Sequence, residues 1–302
     1  MQKMTIFLKS GEMMTTHNRA RVMMAFASFV FGTLALFTRN IAVASSELAL
    51  YRAVLASLLL GGYLLLSRQK IAFASIRKQL PLLLLSGAAM GFNWILLFEA
   101  YRYTTVSVAT LSYYFAPVIV TVACPILFRE RLTKKQILCF VMSTLGLVLI
   151  TGIGDLSAGS SHGKGILFGL GAACLYATVV LLNKFIRDVG DIPRCLFQFL
   201  SAILVLTPYV AATSGFHPEV LNGTGWLCLL VVGLFHTGIT YCLYFSALKD
   251  LSGQEVSILS YVDPLVAVLI SVLVLGESIT PIQLLGGALI LGFTLWNELS
   301  AA

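Results

Sequence analysis

Charged residues are scarce in this chain: they make up 11% of 302 residues, whereas 58% are hydrophobic. Soluble domains carry about 25% charged residues, so the composition excludes an ordinary soluble fold. Mean hydropathy is +0.92. Apolar runs of about 17–22 residues recur along the chain, and each is long enough to cross a bilayer core of about 30 Å. The sequence therefore predicts an all-α integral membrane protein.

Cysteine pairs and catalytic motifs are also lacking. No HExxH, GxSxG, phosphate-cradling loop or EF-hand occurs, so the sequence predicts no enzyme, no metal, no cofactor and no ATP drive. Gly152–Asp155 reads GIGD and is similar to the GxGD of intramembrane aspartyl proteases, but it follows a span in a polar loop and has no YD partner. The six cysteines form no CxxC pair and are predicted to be small apolar packing residues: Cys124, Cys139, Cys174, Cys195, Cys228 and Cys242.

One stretch of the sequence is repeated within the chain. Ser112–Glu130 and Leu259–Glu277 both place tyrosine shortly before proline, then an apolar run, then glutamate. A shift of 147 residues, about half the chain, superposes Pro117 on Pro264. Ala27–Arg39 likewise resembles a stretch 145 residues later. These repeats predict an internally duplicated membrane protein.

The apolar runs predict ten spans, five in each half. Because five is odd, the second half must enter the membrane from the opposite side, which predicts inverted repeats. We expect an N-terminal segment at 1–20, a first repeat at 21–152, an outer linker at 153–163 and a second repeat at 164–298. The predicted spans are 22–38, 47–66, 80–99, 104–127, 134–151, 165–186, 194–213, 224–246, 254–275 and 281–297.

Basic residues predict the orientation. With both termini in the cytoplasm, sixteen lysines and arginines fall on inner segments, and only Arg39, Arg102 and Lys164 fall at outer ends. Such asymmetry follows the positive-inside rule. The net charge of +7 is explained by this topology and gives no support to nucleic-acid binding.

The paired halves, each with a proline-containing fourth span that ends in glutamate, resemble the drug/metabolite transporter superfamily, and more narrowly its ten-helix EamA-type branch. The resemblance is carried by Arg52 in ELALYRAVLAS, by FEAYRYTTVSVATLSYYFAPV, by Glu130 with Gln136, and by the second-half run from YFSALKDLSG to LLGGALIL. It implies a secondary transporter, most often an exporter of amino acids or related metabolites coupled to protons or membrane potential. Two positions depart from the family pattern: Arg129 precedes Glu130 where the second copy has Gly276, and Asp263 stands where many relatives have glutamate.

Three ionisable residues inside spans are candidates for coupling or charge recognition. Arg52 could bind substrate or pair helices. Glu99 could couple transport, or it could pair with Arg102 or Arg52. Asp263 directly precedes Pro264, and its repeat counterpart is Ala116. A carboxyl group in a low dielectric favours its neutral form, so Asp263 could exchange protons, or it could be buried and hydrogen-bonded.

Aromatic and polar residues away from the interfaces predict the substrate site, with helix packing as the competing interpretation. Pro117 and Pro264 are predicted hinges because proline loosens the helix around it. His236, Thr240 and Tyr244 are spaced to share one helix face. The predicted substrate-binding residues are Asn93, Trp94, Tyr113, Tyr114, Tyr176, His236, Thr240, Tyr241, Tyr244 and Tyr261.

The sequence thus predicts a multi-pass protein of the cell (inner or plasma) membrane, with both termini cytoplasmic, that moves a small-molecule substrate by alternating access. Its expected partners are the lipid bilayer, the substrate and a coupled proton, with no nucleic acid, and the chain is expected to be a monomer or a homodimer. Uptake of an organic cation and a non-transporting membrane scaffold are the alternatives.

Overall fold

The computed structural model describes residues 2–67, 73–128, 133–151, 161–248, 250–251 and 259–299. Every regular element in these ranges is a helix. The first half contains α1 (Gln2–Gly32), α2 (Leu34–Thr38), α3 (Ser45–Ser67), α4 (Phe73–Tyr103), α5 (Val106–Tyr113), α6 (Ala116–Phe128) and α7 (Lys134–Thr151). The second half contains α8 (Ser161–Phe185), α9 (Asp191–Ala212), a 3₁₀ turn (Pro218–Val220), α10 (Gly223–Leu230), a π-helix (Val231–Ile239), α11 (Thr240–Leu248), α12 (Val262–Leu273) and α13 (Pro281–Leu299).

These helices make up ten spans in two five-helix halves, which confirms the predicted fold class. The first span is α1 with α2, the fourth is α5 with α6, and the eighth is α10, the π-helix and α11. Within the described ranges, six helices are long and apolar enough to cross a membrane, and shorter apolar helices lie at Val106–Val120, Val262–Leu273 and Pro281–Asn297.

The packing between halves follows a two-fold exchange. The first span packs against the eighth and ninth, and the sixth span packs in the same way against the third and fourth. The second span packs against the eighth, and the seventh packs against the third. The pairs that map onto themselves, namely second with seventh, fourth with ninth and fifth with tenth, are also in contact. Inverted repeats produce this pattern, and they place a site where the halves meet.

Two glycines lie at close contacts between spans. Gly87 lies against the backbone of Gln198, and Gly169 lies so close to α5 that a Cβ there would be 2.9 Å from Ser112 Cβ. Small residues let helix backbones approach in the absence of a hydrophobic drive between spans.

Four spans are not continuous α-helices in the part of the chain that the structure describes, and one of them, the ninth, is interrupted by a turn at Tyr261 just before α12. The fourth breaks at Tyr114–Phe115, just before Pro117, which cannot make the helical hydrogen bond to residue 113. The first breaks at Thr33, between α1 and α2. The eighth was predicted as an ordinary helix but contains nine π-helical residues, where the hydroxyls of Thr237 and Thr240 donate to carbonyls five residues earlier. The side chains thereby support the wider turn.

The fifth and tenth spans lie at the edge of the bundle and pack against each other. One face of α7 and α13 is about half exposed, as expected of lipid-facing helices: Ile137, Leu138, Leu284 and Leu285 lie on it. Several sequence predictions lie outside the described residues, so the structure says nothing of them: Arg129, Glu130, Gly152–Asp155 and most of the 153–163 linker.

Candidate functional site

Asp263 connects the fourth span with its repeat counterpart, the ninth, and both of these spans are interrupted. Its Oδ2 accepts a hydrogen bond of 2.7 Å from the Tyr114 hydroxyl, so the ninth span is tied to the fourth at the point where α5 ends. Asp263 is in the first turn of α12 and directly precedes Pro264. One acidic group from one half therefore meets a tyrosine from the other.

Four of the predicted tyrosines form a continuous row of rings around this bond. Tyr261 contacts Tyr114 with ring centroids 6.4 Å apart, Tyr114 contacts Tyr113 at 6.0 Å, and Tyr113 contacts Tyr176 at 5.5 Å. The row runs from the ninth span through the fourth to the sixth. Aromatic faces of this kind hold organic rings and cations.

Arg52 lies within the bundle at the other side of the site. It is 3% exposed, and its guanidinium carbon is 4.3 Å from the centroid of the Trp94 ring and 5.4 Å from that of Phe98. Arg52 Nε donates to Thr237 Oγ1 at 3.0 Å. Thr237 donates its own hydrogen to Val232 O, which leaves its oxygen to accept from Arg52. The π-helix thus orients the acceptor that fixes the arginine.

Three tyrosines interact electrostatically with both of the opposite charges. Tyr101, Tyr113 and Tyr241 are each within electrostatic range of both Arg52 and Asp263. Arg52 and Asp263 themselves form no ion pair among the described residues. The site therefore combines a guanidinium, a carboxyl group and phenol rings that interact with both.

A second row of rings supports the Arg52 side. Phe31 contacts Tyr241 at 5.3 Å and Tyr244 at 6.2 Å, and Tyr241 in turn contacts Phe199 at 5.5 Å. Phe199 also packs against Trp94, with centroids 5.5 Å apart. Phe199 is the repeat counterpart of Arg52 at the shift of 147 residues. The duplicated position therefore carries a charge in one half and an apolar ring in the other.

His236 bonds to the break in the first span. The Thr33 hydroxyl donates to Val30 O at 2.7 Å and forms a second hydrogen bond with His236 Nε2 at 2.9 Å. His236 Nδ1 lies 3.3 Å from Val231 O, and the ring is 1% exposed. These contacts join the eighth span to the first, and the predicted role of His236 in substrate binding stays a prediction.

Asn93 and Thr240 are the other predicted polar contacts. Asn93 donates to Ala172 O at 2.6 Å and so joins the third span to the sixth. Thr240 donates to Phe235 O at 2.8 Å within its own span. Their hydrogen bonds hold the walls of the site, and their predicted contact with substrate also stays a prediction.

The predicted outer end carries two acidic residues with different partners. Glu99 forms an ion pair with Arg102 at 3.1 Å on the same helix, which is one of the pairings that the sequence allowed. Glu277 binds Arg39 of the first span, and its Oε2 accepts from the Val106 amide at 2.7 Å and from Ser271. Gly276, in the left-handed region at φ +65°, ends the ninth span and precedes Glu277.

Sequence reasoning missed four residues of this site: Phe31, Tyr101, Phe199 and Thr237. A signal existed for Phe31, because it aligns with Tyr176 at the repeat shift of 145 residues. None existed for Thr237, whose role depends on the π-helix.

The sequence pattern of the EamA-like transporter family matches residues 18–152 and again residues 163–297. The chain belongs to this family. A Bacillus subtilis (strain 168) protein named "Uncharacterized transporter YxxF" is 30% identical over 258 residues, which is 85% of this chain and 82% of that protein. The protein PecM of Dickeya dadantii (strain 3937) is 26% identical and covers 68% of this chain and 69% of its own.

A solved crystal structure has the same fold as this EamA-family chain. Its TM-score is 0.66 at 18% identity, and the match covers 93% of this chain and 97% of the other. The family is one of membrane transporters, so the site between the halves is a candidate transport site.

Proposed function

We propose that this chain is a secondary active transporter that moves small organic metabolites, chiefly amino acids and related compounds, out of the cell by alternating access. The observation that carries the proposal is the Asp263–Tyr114 hydrogen bond, which joins the two halves at the broken ends of α5 and α12. A proton or an ammonium group that binds Asp263 competes directly for this contact. Binding at the site is thereby linked to the fit between halves.

The Tyr–Pro segments would then be the bending points of the two halves. The helix is interrupted before Pro117, and Pro264 lies in the first turn of α12, so neither segment resists rotation as a continuous helix would. Rocking of one half against the other around a fixed site is the usual form of alternating access.

The test is flux in proteoliposomes loaded with a mixture of radiolabelled amino acids, with and without a proton gradient. We expect Asp263→Asn to lower flux at least about tenfold and to keep the wild-type elution profile and melting temperature. Tyr114→Phe keeps the carboxylate and should change the pH dependence of flux less than Asp263→Asn does. The matched control is Asp191→Asn, which removes a carboxylate paired within one helix, to Arg194.

Two outcomes would overturn this proposal. A melting temperature that falls in Asp263→Asn while flux per folded molecule is kept would make Asp263 structural. Flux confined to quaternary amines and directed inwards would instead support organic-cation uptake, which Asp263 and the tyrosine row also fit.

A further inference from the structure

The terminal nitrogens of Arg52 have no hydrogen-bond partner among the described residues. Arg52 is 97% shielded from solvent, since its exposed fraction is 3%, yet only its Nε has a hydrogen-bond partner among the described residues. An arginine stays protonated in proteins, and a buried charge without a counter-ion is costly. A group that supplies the missing acceptors would therefore be bound strongly.

The surroundings of Arg52 leave this position to a ligand. Its guanidinium stacks on Trp94 and near Phe98, which fixes the plane of the group and contributes no acceptor. Neither acidic candidate of the site pairs with Arg52, since Asp263 bonds to Tyr114 and Glu99 to Arg102. A planar guanidinium with two terminal nitrogens matches a carboxylate bidentately.

We infer that Arg52 binds the carboxylate of the transported molecule, so that the site selects zwitterions whose cationic end reaches Asp263. This inference rests on the proposed function, because it assigns the recognition groups of the same site. Tyr101, Tyr113 and Tyr241 interact with both charges, so the ligand's uncharged part would meet phenol rings. A ligand lacking the carboxylate leaves the Arg52 charge unpaired and binds more weakly.

Trp94 provides a built-in reporter for this contact. The chain has three tryptophans, so Trp226→Phe with Trp296→Phe leaves Trp94 as the only one. The probes are phenylalanine, leucine and lysine, each with its amide, and 3-phenylpropionate with 2-phenylethylamine. We expect at least one amino acid to change Trp94 emission saturably and its amide to bind about tenfold or more weakly.

The Arg52 variants separate recognition from packing. Arg52→Gln should bring the affinities of the acid and its amide to within about twofold, while Arg52→Lys keeps part of the preference as a point charge. Leu206→Ala, which truncates a fully buried side chain of the same apolar core and leaves the guanidinium and its ring contacts in place, should keep the full preference even where it lowers the melting temperature. If Arg52 were merely structural, replacing it would leave the ratio of acid affinity to amide affinity unchanged.

Equal binding of acids and amides by the wild type, or an unchanged ratio in Arg52→Gln, would overturn the inference. The inference would also be overturned if no carboxylate changed the Trp94 emission. In those cases Asp263-dependent flux of an amine would leave the transporter proposal intact. Loss of flux as well would reject both.

Discussion

At the scale of single residues, one buried carboxylate holds the loop between the seventh and eighth spans. Glu47, 1% exposed, accepts from the His217 amide at 2.8 Å and from the Tyr51 hydroxyl at 3.1 Å. The His217 side chain turns outward and bonds Glu219 with Nδ1 and Oε1 3.0 Å apart. The loop is thus fixed through its backbone, while its side-chain pair stays in solvent.

The exposed pair predicts a pH response that can be measured. The hydrogen bond to Glu219 raises the pKa of His217 above its ordinary value of 6.5. The backbone N–H of Glu219 and His217 together lower the pKa of Glu219. Because the pKa of His217 is raised on folding, the pair's small stabilisation is present below pH 6.5 and is lost as the pH rises through the higher folded pKa.

We therefore expect ¹³C-histidine NMR to show His217 titrating above 6.5, and Glu219→Gln to move its midpoint back toward that value. The resonance of His17 should not move in this variant. An unchanged His217 midpoint would mean that the ion pair does not persist in solution, as is common for exposed pairs.

The residue-level content of the site was only partly readable from the sequence. Asp263, Arg52 and the tyrosines stood out because ionisable and phenolic groups inside spans are unusual, and the structure brings them together. Their partners did not stand out. That Arg52 stacks on Trp94 and bonds Thr237 depends on how the second, third and eighth spans cross, which no spacing within one span specifies.

At the scale of elements, the repeats and the proline-linked break in the fourth span were predictable from the sequence. The break in the first span and the local helix type were not. Proline located the interruption before Pro117, because its missing N–H acts within four residues. The break at Thr33 and the π-helix arise where the first and eighth spans meet at His236. Tertiary contacts decide such features, so the apolar periodicity of the sequence does not reveal them.

Gly32 tests the contact between the first and ninth spans. A Cβ at Gly32 would lie 2.6 Å from Asp263 O and 2.7 Å from Val266 Cβ, so Gly32→Ala must move α12 and Asp263 with it. Overpacking of this kind costs about 1–3 kcal/mol. We expect a lower melting temperature in detergent and reduced flux.

Gly62→Ala is the matched control, because a Cβ at Gly62 meets nothing within 4 Å. Alanine is the better helix former by about 1 kcal/mol, so this variant should be neutral or slightly stabilising. Equal effects of the two substitutions would show that the first and ninth spans do not pack this closely.

At the scale of the whole molecule, the predicted outer end is closed by a bridge across the halves. This outer bridge consists of Arg39 at the end of the first span, Glu277 after the ninth, and the Val106 amide that begins α5. Glu277 thereby neutralises a cation and accepts from a helix N-terminus at once. Its repeat counterpart Glu130 lies outside the described residues.

Alternating access requires this end to open, so weakening the outer bridge should raise the population of open molecules. Both side chains are partly exposed, 36% for Arg39 and 11% for Glu277, so the ion pair itself contributes no more than about 1 kcal/mol. Glu277→Gln also replaces the charged acceptor at Val106.

We expect Glu277→Gln to speed labelling of a Ser107→Cys reporter on α5 by about three- to tenfold. Labelling is measured with a membrane-impermeant maleimide in a background without the six native cysteines. Ser107 is 1% exposed, so the reporter is protected in the closed arrangement. Glu99→Gln is the control, since it breaks an ion pair at the same end but within one helix, and should leave labelling unchanged. Equal rates in Glu277→Gln and the parent would mean that the outer end is held closed by helix packing alone, and faster labelling in Glu99→Gln would make Glu99, too, part of the closure.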